Sequence, residues 1–450
     1  MQKTKPPVFN EIRRNVAGID LAWRAENYIC GPRREDGGFD IEAFGTTTPE
    51  LHRILMWLKD RNVESVAMES TSVYWIPLTD LLEANGIEVV LVDARMVRMV
   101  PGRKSDVEDC QWLQKLHSCG LLRGAFRPPE DVAAVRSILR EKENLTAMRT
   151  QAIQQMQKSL DQMNICVHHA VSDIDGKTGT AIVKAIVEGE RNPSKLAKLR
   201  DARCKKSEKE IANHLTGTWR DEHLFNLGQA FKTMQFLDDR ISEYDLKASE
   251  MLAALAAASG NPPPSPPGRE LTKKERNNRD GKANLCQIMG FDATSIDGIE
   301  YDTARIITSE VGTKMGCFPT ENHFASYLGL APSLGKSAGK NVRQKKRKNT
   351  SRAGRALRMA ACTLLRSQSE LGAYLRSVAR RTDKKTAIKA TARRMAHLIY
   401  RGVRYGKEYI DRGAEAYELR SRERTLNTVK KLIKSLNINS SEISAAFSTI

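Results

Sequence analysis

The spacing of apolar residues changes character along the chain. Between residues 15 and 125 the apolar runs are short. "NVAGID" ends on Asp20, and "ENYICG" and "FDIEAFG" follow at hairpin-like spacing. "TPELHRILMWLKD" recurs at threes and fours through Leu51, Ile54, Leu55 and Leu58, with Thr48 placed to cap a helix. "VESVAMES" then reads as a strand, "VYWIPLTDLLEANG" as a helix closed by Gly86, and "IEVVLVD" as a further strand. The predicted order is β-β-β-α-β-α-β-α, a mixed sheet with helices on its faces. After Pro128 and Pro129 the period becomes helical. One stripe runs through Val135, Ile138, Lys142, Leu145, Met148, Ala152, Met156, Leu160, Met163 and Val167. A second runs through Leu227, Phe231, Met234, Leu237, Ile241, Tyr244 and Met251. Two long stripes around a polar insert predict an antiparallel helical hairpin or a coiled-coil dimer arm.

"SGNPPPSPPGRELTKKERNNRDGK" breaks both periods. Its prolines and charged, apolar-poor end predict a linker that buries no core. The divisions that follow are an α/β domain over 12–127, a helical arm over 128–257, a proline-rich linker over 258–283, a helical domain over 284–420 and a tail over 421–450. The overall class is α/β plus α. Five strands beginning with an antiparallel meander form the ribonuclease H-like arrangement.

Composition adds charge to this picture. The 450 residues carry 73 Lys and Arg against 54 Asp and Glu, a net charge of +19, which points to a polyanionic partner such as nucleic acid. The eight cysteines are scattered with no CxxC pair, which argues against a zinc site or a disulfide framework. The first fifteen residues have no apolar core of the signal-peptide kind, and no run of about 18 apolar residues suggests a membrane span. The expectation is a cytoplasmic protein with reduced thiols.

Against so basic a background, the acids of "KSDVEDCQWL" stand out. Ser105 and Glu108 form a capping box, and Asp106 at the first helical position is favoured by the helix dipole. Those local roles do not explain Asp109, which shares a helix face with Asp106. Asp20 closes the first strand and Glu69 closes "VESVAME". If those strands lie side by side, Asp20, Glu69, Asp106 and Asp109 meet at one sheet edge. Oxygen-only ligands suit Mg2+ or Mn2+, and a pair of such ions is the usual device for phosphodiester displacement.

The last domain holds a second constellation. Ser337 sits in "GKSAGK" beside Lys336, Lys340 and Arg343, and the basic run continues through Lys345, Lys346, Arg347 and Lys348. Glycines admit a phosphate close to backbone amides, and a serine among cations is a candidate nucleophile on phosphorus. A serine in such a loop is more often a turn residue. Upstream, the Gly298 turn in "SIDGIEYDTARIITSEVG" resembles a helix-hairpin-helix, an element that grips the sugar-phosphate backbone.

Taken together, "GIDLA", "AMEST", "KSDVEDCQWL", "IDGIEYDTARIITSEVG" and "YLGLAPSLGKSAGK" resemble the DEDD transposases of bacterial insertion sequences, relatives of the Piv-like DNA invertases. The resemblance implies a RuvC-like domain in which Asp20, Glu69, Asp106 and Asp109 bind metal, and a transposase domain in which Ser337 is the catalytic serine. It implies recombination through a serine–DNA link, donor and target DNA as substrates, a noncoding bridge RNA as guide, and a homodimer assembling to a tetramer through the helical arm. The serine motif reads S-A-G here, where S-G is usual. Three readings follow. The first is an RNA-guided recombinase in which Ser337 attacks the phosphodiester, with Ser333 the first substitute to test. The second is a metal-dependent endonuclease of the Holliday-junction-resolvase kind that uses water. The third is a noncatalytic nucleic-acid scaffold.

Overall fold

The structure, a computed structural model, describes residues 10–22, 26–70, 72–92, 106–264, 278–332, 334–337, 340–343, 351–407 and 409–435. It divides into two compact units, Met1–Arg127 and Pro128–Ile450.

The first unit is built on a five-stranded sheet of β1 (Val16–Asp20), β2 (Asn27–Arg33), β3 (Phe39–Phe44), β4 (Ser65–Glu69) and β5 (Glu88–Val92), in the order β3-β2-β1-β4-β5. β1, β2 and β3 form the antiparallel meander, and β4 and β5 add in parallel beyond β1. This mixed sheet with its helices fits a ribonuclease H-like DEDD domain. Helix α1 (Thr48–Asp60) buries Ile54, Leu55, Trp57 and Leu58, and α2 (Trp75–Ala84) buries Leu78 and Leu82. Thr48 is not the cap of α1. It is the first helical residue, and Thr47 at the cap position makes no side-chain capping bond. Pro49 in the first turn presets the helical φ there instead.

Alternation along the strands assigns the two faces of the sheet. Ala17, Ile19, Val66, Met68 and Leu91 pack into one core with Ile54, Leu58, Leu78 and Leu82 of α1 and α2. Ala67 and Val92 point the other way and pack with Leu113 of α3 (Asp106–Ser118).

The second unit is helical. α4 (Glu130–Gln162) and α9 (Asp221–Ala258) lie antiparallel within the one chain. Lys142 pairs with Asp245 at 2.6 Å and Arg149 with Asp238 at 2.5 Å, so the partner moves back seven residues as the helix advances seven. At one end of this hairpin, α5 (Val167–Ala170), α6 (Lys177–Val187), α7 (Pro193–Ala197) and α8 (Glu208–His214) close over a core of Met156, Leu160, Met163, Ile182, Ile186, Leu227, Phe231 and Met234. Met156, Met163 and Met234 of the two stripes are therefore core, whereas Met148 of the first is exposed.

Beyond it come α10 (Arg279–Met289), α11 (Tyr301–Val311), α12 (Glu321–Tyr327), the short strands β6 (Leu334–Ser337) and β7 (Lys340–Arg343), then α13 (Arg352–Thr363), α14 (Glu370–Arg381), α15 (Lys384–Tyr405) and α16 (Gly413–Ser435). Arg140 of α4 makes a two-point contact with the buried Glu310 of α11, at 2.8 and 2.7 Å. The Gly298 turn joins a single 3-10 turn, Ala293–Ser295, to α11. Its φ is +81°, and a Cβ there would lie 2.8 Å from the Ala360 carbonyl oxygen of α13, so both backbone and packing require glycine.

Candidate functional site

Three structural facts bring the acids of the first unit together. The first is strand register. β1 and β4 run parallel with Ile19 beside Met68, so the next residues, Asp20 and Glu69, close adjacent strands at the same edge. By alternation both lie on the face that carries α3. Ser70 fixes the end of β4 to β5, since its amide and hydroxyl both donate to the Val92 carbonyl, at 3.0 and 3.1 Å.

The second fact is Gly18. A Cβ on this residue would stand 2.3 Å from both the Cys110 carbonyl oxygen and the Gln114 amide nitrogen. The backbone of α3 therefore lies directly on β1, with no side chain between them. Gln114 also approaches the Val16 carbonyl, at 3.5 Å.

The third is the match of repeats. One helical turn rises about 5.4 Å and two strand residues about 6.6 Å. With Gln114 over Val16 and Cys110 over Gly18, the next turn back places Asp106 over Asp20. Asp109 belongs to the same first turn, where all three acids, Asp106, Glu108 and Asp109, are favoured by the helix dipole. Ser105, read from sequence as the cap, lies outside the described residues.

The charge crowding registers on Asp20. Its carboxyl is pushed up from 3.8 to about 6, first by burial and then by the negative charges of Asp106, Asp109 and Glu69, against a lowering bond from the Leu21 amide. Each of the four acids singled out by sequence therefore takes part in one electrostatic cluster. Tyr28, opposite Asp20 in the β1–β2 ladder, is a residue that sequence reasoning missed. Its hydroxyl is held above the ordinary tyrosine range, mainly by Glu26 and in small part by Asp106. The hairpin spacing of β1 and β2 was the signal that would have found it.

Among the described residues, no three His, Cys, Asp or Glu side chains already close around one ion-sized point. The donors nevertheless suit a hard divalent cation. They are all carboxylate oxygens, they gather on one face, and burial together with their mutual repulsion raises Asp20, which a cation would reverse.

The serine segment of the second unit is a β-hairpin and not the loop expected. Leu334 pairs with Arg343, Gly335 with Val342, Lys336 with Asn341 and Ser337 with Lys340, which places Ser337 at the last pair before the two-residue connection. Just upstream, Lys389 of α15 donates to the Ala331 carbonyl at 3.1 Å. Ser333 and Lys345, Lys346, Arg347 and Lys348 lie outside the described residues. Among the described residues no helix is long and apolar enough to cross a membrane.

Comparison with known proteins agrees with this architecture. Residues 17–165 match a transposase family model of the DEDD IS110 type, and residues 293–376 match the transposase IS116/IS110/IS902 family. No curated protein matches the chain. The first match covers the strands and helix that carry all four acids, and a DEDD domain of this kind implies dependence on a divalent metal. The second match spans the serine hairpin. With both transposase domains in this order, the chain is a transposase of the IS110 type, an enzyme of DNA recombination.

Proposed function

We propose that this transposase is an RNA-guided recombinase that moves an insertion sequence through a covalent serine–DNA intermediate. The observation that carries the reading is the crowding of Glu69, Asp106 and Asp109 around Asp20 on a transposase domain. Those carboxylates would hold Mg2+ or Mn2+, which when bound offsets negative charge at the reacting phosphate. Ser337 would supply the nucleophile. Its Oγ forms a bond to phosphorus as the bond to one deoxyribose oxygen breaks. The serine hydroxyl gives up its proton and the departing sugar oxygen gains one. The phosphoester energy is conserved in the Ser337 ester, so a sugar hydroxyl from the other strand reverses the step without an added energy source.

Lys336, Lys340, Arg343 and the run Lys345, Lys346, Arg347, Lys348 would hold the phosphates of donor and target DNA around the hairpin. The Gly298 turn would add backbone contacts in helix-hairpin-helix fashion. A noncoding bridge RNA would read sequence by base pairing, leaving the protein to grip backbones. The α4–α9 arm would pair two copies, and two such dimers would form the working tetramer.

The test is covalent. Ser337→Ala is expected to remove protein–DNA adducts seen on denaturing gels while RNA and DNA binding persist. Adducts that survive in Ser337→Ala and vanish in Ser333→Ala would transfer the role to Ser333. Products with free phosphate ends and no adduct in the unaltered protein would favour the resolvase-like reading. That alternative has one observation of its own, since all four acids come from the first unit. Sequencing the RNA that copurifies with the protein tests guidance.

A further inference from the structure

Helix α16 begins as part of its domain and then leaves it. Tyr417 is buried, with its ring edge-on to Tyr374 of α14 at 6.1 Å. Arg420 reaches the buried Glu370, at 2.8 Å. From Arg422 to Ser435 every residue except Ile433 is exposed, and Ile433 is only partly covered. An exposed segment of this length is marginal as a lone helix in water.

Yet it is not polar all round. Leu419, Leu426, Val429 and Leu432 are 63, 51, 44 and 54% exposed, and with Ile433 they form one stripe. Leu419, Leu426 and Ile433 repeat every seven residues, and Val429 takes the intervening core position of a heptad. Arg422 takes the other such position. In that frame Glu423 and Lys430 are equivalent flanking residues, one heptad apart and of opposite charge.

This pattern selects a partner and an orientation. In an antiparallel pair of identical helices, equivalent flanks face one another. Setting Leu426 against Val429 of a second copy brings Glu423 opposite its Lys430, and Lys430 opposite its Glu423. Arg422 then lies across from Ile433, where its stem can cover apolar surface. In a parallel pair, Glu418 would face Glu423 of the other helix twice, a repulsion with no matching attraction. We propose that residues 418–435 form a self-association element, in which α16 docks antiparallel on α16 of a second copy through the Leu426–Val429 stripe. The contact is isologous, so it closes as a two-fold pair. It is separate from the α4–α9 arm and does not depend on the recombination chemistry proposed above.

The experiment follows hydrogen exchange across 418–435 in the full-length protein as a function of concentration, together with sedimentation equilibrium. Exchange in this segment is expected to slow as concentration rises. Glu423→Lys turns two attractions into repulsions and is expected to weaken association at least tenfold, and Lys430→Glu does the same. The double variant Glu423→Lys/Lys430→Glu restores both pairs and should return to within threefold of the unaltered protein. Leu426→Asp should remove the concentration dependence altogether. Exchange that ignores concentration would overturn the proposal and indicate that residues 436–450 or nucleic acid cover the stripe. A double variant no tighter than the single ones would overturn the antiparallel pairing.

Discussion

Asp20 and His117 lie on the same domain and respond to pH in opposite senses. Asp20 has its carboxyl raised to about 6 in the folded protein. Between about pH 4 and 6 the folded state therefore holds the proton more tightly than the unfolded chain, and stability falls as pH rises through that window. Above it the penalty stands in full, and solvent screening of this partly exposed carboxylate keeps it to about 1 kcal/mol. Metal-free Asp20→Asn is thus expected to melt higher than the unaltered protein at pH 7.5 while losing DNA strand transfer. Adding Mg2+ should raise the melting temperature of the unaltered protein and not that of the variant, in a thermal shift assay. His117 is buried, shares a 2.8 Å hydrogen bond with Ser65, and has its pKa lowered to about 4 by burial and by Arg13. Its contribution is complete above about pH 6.5 and is lost as pH falls toward 4. His117→Gln should accordingly flatten the acid limb of the stability curve, and Asp20→Asn should steepen it.

Elements depend on contacts that no local pattern announces. Gly18 lets α3 rest on β1, and a methyl group there meets helix backbone that cannot rotate away. Gly18→Ala is expected to cost about 1–3 kcal/mol in chemical denaturation. It should also reduce strand transfer by far more than that loss of stability explains, because it displaces Asp106 and Asp109 from Asp20. In the second unit, Arg140 and Glu310 join α4 to α11 with the carboxylate side chain only 8% exposed. Arg140→Ala leaves that charge without its two-point partner and is expected to cost about 3 kcal/mol. Arg140→Ala/Glu310→Gln should recover a large part of it. Denaturant midpoints of the two variants, measured side by side, check this.

For the whole molecule, a net charge of +19 makes binding of the DNA substrate a counterion-release problem. Replacing Lys345 and Lys346 together by Ala should reduce the slope of log affinity against log salt by about 2, across unrelated DNA sequences alike. Filter binding at several salt concentrations reads the slope directly. At this scale the sequence pattern was a good guide to the first unit, because β1, β4 and β5 are short, mostly apolar runs and α1 and α2 carry apolar stripes. It was a poorer guide to the serine segment. Lys, Ser and Gly over 335–340 carry no strand signature, so only the cross-strand pairing of Leu334–Ser337 with Lys340–Arg343 reveals a hairpin. The antiparallel pairing of α4 with α9 was one of two arrangements their stripes allowed. The ion pairs Lys142–Asp245 and Arg149–Asp238 place it within a single chain.

The sequence by itself determined the strands of the first unit and the two long helices of the second, where acid and base are concentrated, and which residue types are available for chemistry. Those follow from periodicity and side-chain character, which are local properties. Only the tertiary structure decided that Asp20 and Glu69 share a sheet edge and a face, and that α3 lies over them in the one register that brings Asp106 to Asp20. That outcome depends on strand pairing across about fifty residues and on the missing side chain of Gly18, and contacts so distant in the chain leave no periodic trace in it.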